Sequence, residues 1–218
     1  MARITPFGVL SACHGARHGE IAVAMAAEFG TVDPDAVDDA LDVLSVGLAA
    51  ARSRDVASEL LGAGEHLDGL LTVDLSPNRC DNDDLLLPPV LTTGTGHELA
   101  LVQAAAEASR RAGIDLGVVA SRDHVYLAHR GGAEGIVLSP RHEWRAIEAS
   151  DLEEGDLAWR CSHEVSYLVL GEILRRTEHT GVLPVALRAS ELRMKLPLEH
   201  RVLDRLKVEH ARLRARLN

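Results

Sequence analysis

Thr93-Gly94-Thr95-Gly96-His97-Glu98-Leu99 is the stretch that decides how this chain reads, because a long helix follows it and short strands follow the helix. Gly94 and Gly96 give the backbone the freedom that a tight approach to a helix needs. Thr95 or Gly96 is then placed to cap a helix that runs through Ala112 and stops at Gly113. Leu99, Val102 and Ala106 recur on one face of it, and Gln103, Glu107, Arg110 and Arg111 on another. Next come two β-prone runs, Leu116-Gly117-Val118-Val119-Ala120 and Val125-Tyr126-Leu127-Ala128, joined at Ser121-Arg122-Asp123-His124. A third run, Gly135-Ile136-Val137-Leu138, ends at Ser139-Pro140. The pattern predicts an α+β protein: a helix with a polar group at its amino end, packed on a small meander of strands.

Upstream, residues 20–29 read as an Ala-rich helix ended by Gly30. Asp33-Pro34 starts another, with Asp33 as N-cap, Pro34 at the first helical position, and Val37, Leu41, Leu44 and Leu48 at helical spacing. Residues 56–71 form a third helical stretch, weakened by Gly62, Gly64 and Gly69. The clearest loop is 76–84, whose acidic and amide residues lack calcium-loop spacing. Residues 85–90 are its expected apolar anchor, with Pro88-Pro89 barring a regular element. Downstream, Arg141-His142-Glu143-Trp144 opens a connector that contains the acidic run 151–156, the best internal boundary. Three amphipathic helices are expected beyond it, over 161–179, 183–196 and 198–217, separated at Gly181 and Pro197. Val165, Leu168 and Glu172 lie along one line of the first, and Val202, Leu206, Glu209 and Leu213 along the last. The expected division is a first domain over 1–157 and a helical tail over 158–218.

A chain of 218 residues suits one domain, or one with a small appendage. The formal charge of −10 argues against a nucleic-acid or anionic-membrane partner. The locally basic stretch 200–216 reads as a solvated helix face. Three cysteines, at 13, 80 and 161, form no CxxC pair, so neither a disulfide framework nor a zinc knuckle is indicated. They suit a reduced cytoplasm, and Met1-Ala2-Arg3-Ile4-Thr5-Pro6 lacks the apolar run of a signal peptide. Cytoplasmic localisation without membrane contact is therefore expected. His14 and His18 could share a helix face, but no acidic third ligand follows in the HExxH manner. Gly94-Thr95-Gly96 has no Lys after it to hold a phosphate, and no GxSxG elbow is present. No cofactor is expected.

Gly96-His97-Glu98-Leu99, the helix end Ala108-Ser109-Arg110-Arg111-Ala112-Gly113-Ile114, Asp123-His124-Val125, and Arg160-Cys161-Ser162-His163-Glu164-Val165 together carry a family likeness. In order and spacing they resemble the transglutaminase-like, papain-type core. Over residues 19–218 they resemble bacterial transglutaminase-like proteins of the SirB family, with a tetratricopeptide-like tail. The resemblance implies a cleft in which a Cys opens the buried helix, a His opens the next strand, and an Asp ends the strand after that. On this chain those positions fall at Glu98, His124 and Ser139, so His124 alone matches. It also implies that the motif around His163 docks the tail on the first domain.

A carboxylate is a poor substitute for a thiolate in acyl transfer, and a serine hydroxyl carries no charge to stabilise an imidazolium. The expectation is a degenerate triad, a pseudoenzyme whose cleft binds a small molecule or a protein, with the oligomeric state left open. The alternative is a non-thiol enzyme of a biosynthetic pathway, in which Glu98 and His124 move protons. A third possibility is a metal centre converging from His97-Glu98, His142-Glu143 and His163-Glu164.

Overall fold

The computed structural model describes residues 3–74, 81–132, 135–152 and 157–216. Helices α1 (Phe7–Leu10), α2 (His18–Ala26), α3 (Pro34–Leu48) and α4 (Val56–Asp68) come first. Asp33 caps α3 as its sequence predicts, accepting from the Asp35 and Ala36 N–H groups at 3.1 and 3.3 Å, with Pro34 at the first position. A two-residue strand, β1 (Thr72–Val73), pairs in parallel with β2 (Thr95–Gly96) and thereby closes the intervening segment into a loop.

That loop contains α5 (Leu87–Thr93), where a proline pair was expected to prevent any element. Pro88 and Pro89 lie in the first turn, whose N–H groups have no intrahelical acceptor, so the rings remove no bond. Leu85, Leu87 and Val90 are fully buried and do anchor the segment. Gly94 ends the helix in the left-handed region at φ 68°.

Helix α6 (Glu98–Ala112) is the centre of the molecule. Its cap is His97 rather than Thr95 or Gly96: the Nδ1 atom accepts the Leu99 N–H at 3.2 Å. Gly113 stops it in the left-handed region at φ 77°. The helix touches α2, α3, α5 and the strands, and its many alanines allow neighbours to approach closely. Being enclosed, it has no solvated face over most of its length. Gln103 is as fully buried as Leu101 and Val102, and Glu107 is nearly so.

Strands β3 (Leu116–Ala120), β4 (Val125–His129), β5 (Ile136–Ser139), β6 (Arg145–Glu148) and β7 (Ala158–Arg160) form an antiparallel sheet in the order β6-β5-β4-β3-β7. The β3–β4 hairpin runs in register from Ala120 opposite Val125 to Leu116 opposite His129. Strand β6 lies in the stretch that reads as a connector. Its pattern Arg145-Ala146-Ile147-Glu148 is half-buried at the centre and exposed at both ends, too little apolar signal to register as a strand. Residues 153–156 of the acidic run, and residues 76–80 of the long loop, lie outside the described residues.

Helices α7 (Ser162–Thr180), α8 (Leu183–Arg193) and α9 (His200–Ala215) complete the α+β architecture. Val165, Val169, Leu170 and Ile173 of α7 join the same buried cluster as α6, as do Ala189 and Leu192 of α8. Leu168, on the expected line with Val165 and Glu172, stands at the edge of the buried face of α7 and is 36% exposed. On α9 Leu206 is buried, in keeping with a solvated basic face. Among the described residues no helix is long and apolar enough to cross a membrane.

Candidate functional site

A carboxylate in the first turn of a helix sits against unpaired N–H groups, which favours Glu98 where it is. Glu98 is 4% exposed. Its Oε1 lies 3.3 Å from His124 Nδ1. Its Oε2 accepts Arg141 Nε–H at 2.7 Å, and Oε1 also accepts Arg141 Nη2–H at 3.3 Å. In a neutral imidazole this contact places the proton on Nδ1. His124 opens β4, and the preceding turn is pinned at both ends: Ser121 Oγ accepts the His124 N–H at 3.2 Å, and the Ser121 N–H donates to the His124 carbonyl at 3.0 Å.

Ser139, the third expected position, ends β5 and is buried. Its hydroxyl pairs with His142 Nδ1 at 2.9 Å. The structure thus brings Glu98 and His124 into contact, and it joins Ser139 to His142.

Arg141 is the site residue that sequence reasoning missed. It rides on a short turn, Pro140–His142, that is held from below. Glu143 and Trp144 both take positive φ, 54° and 56°, which costs on the order of 1–3 kcal/mol each for residues with side chains. The strain is offset by burial of Trp144, whose indole N–H donates to the Leu71 carbonyl at 2.6 Å and whose backbone N–H donates to the Ser139 carbonyl at 2.9 Å. The only local signal was an Arg two residues past the end of an apolar strand.

A second network clamps α7 over the amino end of α6. The His97 N–H donates to the Asp84 carbonyl at 2.8 Å. The buried Asp84 carboxylate accepts Arg176 Nη1–H at 2.6 Å and Nη2–H at 2.9 Å. Glu172 accepts from Arg176 at 3.1 Å and from Arg175 at 2.7 and 2.5 Å. Burial favours the protonated form of Glu172, but Arg175 and Arg176 outweigh it and hold its carboxyl below the usual range. Burial pushes the His97 imidazole down, against the pull of Glu98 and Glu172, which suits its use as a neutral cap.

Between these networks lies an open cleft of about 440 Å³. Glu98, His124, Arg122, Arg141, Arg160 and Arg175 line it, with Leu168 and Glu172 on the α7 side. No described cysteine is among its lining residues; Cys13 and Cys161 are free and exposed.

His163 and His129 take partners away from the cleft. His163 Nε2 meets the Leu10 carbonyl at 3.2 Å, and Ser162 Oγ donates to the Ala16 carbonyl at 2.7 Å, so the start of α7 is tied to the N-terminal segment. His129 Nδ1 accepts the Gly131 N–H at 2.9 Å, and its Nε2 meets Glu59 at 2.8 Å, which staples α4 to the sheet. His14 lies in the turn before α2 and His18 begins that helix, so the two do not share a helix face. Burial pushes the His18 ring down to about 4 despite the attraction of Glu107. Among the described residues, no group of three or more His, Cys, Asp and Glu side chains is arranged to hold a metal ion, and the three His-Glu pairs do not converge on one. Comparison of the chain with family models, with curated proteins and with solved structures finds no match.

Proposed function

We propose that the cleft at the amino end of α6 is a binding site on a transglutaminase-like, SirB-type scaffold that carries out no thiol chemistry. One observation carries this reading. Glu98, at the position a thiol takes in the resemblance, is a buried carboxylate engaged at both oxygens by Arg141, with His124 against Oε1. A carboxylate chelated by a guanidinium anchors its neighbours and presents no nucleophile to an acyl carbon. Packing of α6 on the β3–β4 hairpin supports a papain-like core, and α7 to α9 support the expected helical tail. The ligand is a small molecule or a segment of protein that enters beside His124.

The test is a ligand screen by NMR on the full chain, observing the His124 ring. Saturable shifts with every compound recovered unchanged are the expected result. Arg141→Ala, read at the His124 ring, and His124→Ala, read by calorimetry with the same compounds, should weaken that binding.

A second reading has its own support, since the 3.3 Å contact with Glu98 orients the His124 ring for general acid–base work on a substrate of a biosynthetic pathway. Turnover that disappears in both Glu98→Gln and His124→Ala, with folding intact, would replace the binding reading with this one.

A further inference from the structure

Beside the cleft, along the same face of α7, lies a second hollow of about 400 Å³. Tyr167, Leu168, Leu196, Pro197, Leu198 and Val202 give it an apolar wall, interrupted by His163, Glu164 and Arg205. The exposed thiol of Cys161 is part of its lining. Arg160 and Leu168 line both hollows, so the two adjoin. Each is of the size that holds a small molecule.

Their chemistry differs in a complementary way. The cleft carries four arginines, at 122, 141, 160 and 175, against the acids Glu98, Asp123 and Glu172. With Glu164 and Arg205 of the adjoining hollow included, five arginines face four acids, a small positive surplus in a chain whose formal charge is −10. Arg141 and Arg175 are already bound to Glu98 and Glu172. Arg160 gives Nη1–H to Glu164 at 3.1 Å, its Nε is buried without a partner among the described residues, and its side chain as a whole is 34% exposed. Arg122 projects from the exposed β3–β4 turn at the cleft edge. A surplus this small fits one negative charge better than two.

Building on the binding reading above, we propose that the two hollows form one bipartite site for a small amphipathic carboxylic acid. The carboxylate lies against Arg122 and Arg160, and the aliphatic or aromatic tail runs along Leu168 toward Leu198 and Val202.

Octanoate is the probe, measured by calorimetry on the full chain, with acetate as a head alone and octanol as a tail alone. Octanoate is expected to bind once per chain, with affinity rising about fourfold per methylene from butanoate upward. It is expected to slow alkylation of Cys161 by N-ethylmaleimide. Arg160→Gln should weaken octanoate at least about tenfold while leaving octanol unchanged. Arg122→Gln, on an exposed turn where folding is not at risk, should weaken it in the same sense. Leu198→Asp should remove the dependence on chain length. Absence of saturable octanoate binding, acetate as tight as octanoate, unprotected Cys161, or unchanged affinity in both arginine variants each overturns the bipartite site. Other ligands that still shift the His124 ring would then leave the binding reading standing. Conversion of the bound acid to product, with Cys161 protected, would instead sink the binding reading and keep the bipartite site.

Discussion

Removing Arg141 should damage the protein more than neutralising Glu98, although the two are partners. Glu98 is the buried member at 4% exposure, whereas the Arg141 side chain is 40% exposed. Glu98→Gln removes one short charge-assisted bond of 2.7 Å and weakens two longer contacts of 3.3 Å, while Arg141 can turn to water. The expected loss is about 2 kcal/mol. Arg141→Ala leaves a carboxylate in the interior with His124 as its remaining partner among the described residues. Stripping one partner from a buried pair costs about 3–5 kcal/mol, and the exposure of Arg141 places this case near the lower end, at about 3 kcal/mol. The double variant Glu98→Gln/Arg141→Ala has no stranded charge, so it should fall within about 1 kcal/mol of Glu98→Gln alone. Urea unfolding at neutral pH, with unchanged m values, measures all three. In thermal scans each kcal/mol corresponds to about 2–4 °C for a chain of this size. Strict additivity of the two single losses, or Glu98→Gln being the more damaging, would refute the picture of a buried anion held under a surface guanidinium.

Three further outcomes are expected. The His18 ring is pushed down to about 4 by burial, while an unfolded histidine titrates near 6.5; between these values the unfolded chain binds the extra proton, so stability falls as pH drops. The loss should approach roughly 3 kcal/mol at pH 4, and urea midpoints of His18→Phe should show a correspondingly flatter acid limb. Asp84→Ala takes from Arg176 of α7 its bidentate partner while Glu172 remains at 3.1 Å, so it should cost about 2–3 kcal/mol, and loosening of the α7 clamp should appear as faster amide exchange there; unchanged exchange would count against the clamp. Gly64→Ala would set a Cβ 2.5 Å from the Trp144 carbonyl and 3.0 Å from Leu138, so a loss of about 1–3 kcal/mol is expected. In a Trp159→Phe background, a red shift of Trp144 emission would report the displaced loop, and a wild-type spectrum would show that the contact gives way freely.

Local signals were legible wherever one residue answers a neighbour three or four positions away. Asp33-Pro34 capped a helix as its chemistry dictates, and Gly113 and Gly181 ended helices in the left-handed region. The three apolar runs after α6 became strands because continuous apolar stretches bounded by turns suit a sheet buried on both faces, here by helices on one and by Ile147, Leu152 and Leu157 on the other. Failures came where context overrode a local rule. Pro88-Pro89 sits in a helix because first-turn N–H groups need no acceptor. The polar positions Gln103 and Glu107 are buried because α6 is surrounded, with Glu107 bound by Arg110 and Arg111.

The same division holds for the site. Periodicity and caps placed Glu98 at a helix start and His124 at a strand start, since both are local facts of backbone geometry. Their contact spans 26 residues of chain, and the Arg141 contact spans 43, so no local spacing encodes either. Arg141 reaches Glu98 because two non-glycine residues, Glu143 and Trp144, accept left-handed backbone while Trp144 is buried against Leu71. Ser139 goes to His142 for the same reason, as the turn folds back on its own strand. The sequence alone determined which groups stand at the ends of elements; the tertiary packing alone decided which of them meet, because charge pairing across the core depends on loop conformations that burial, and not local propensity, selects.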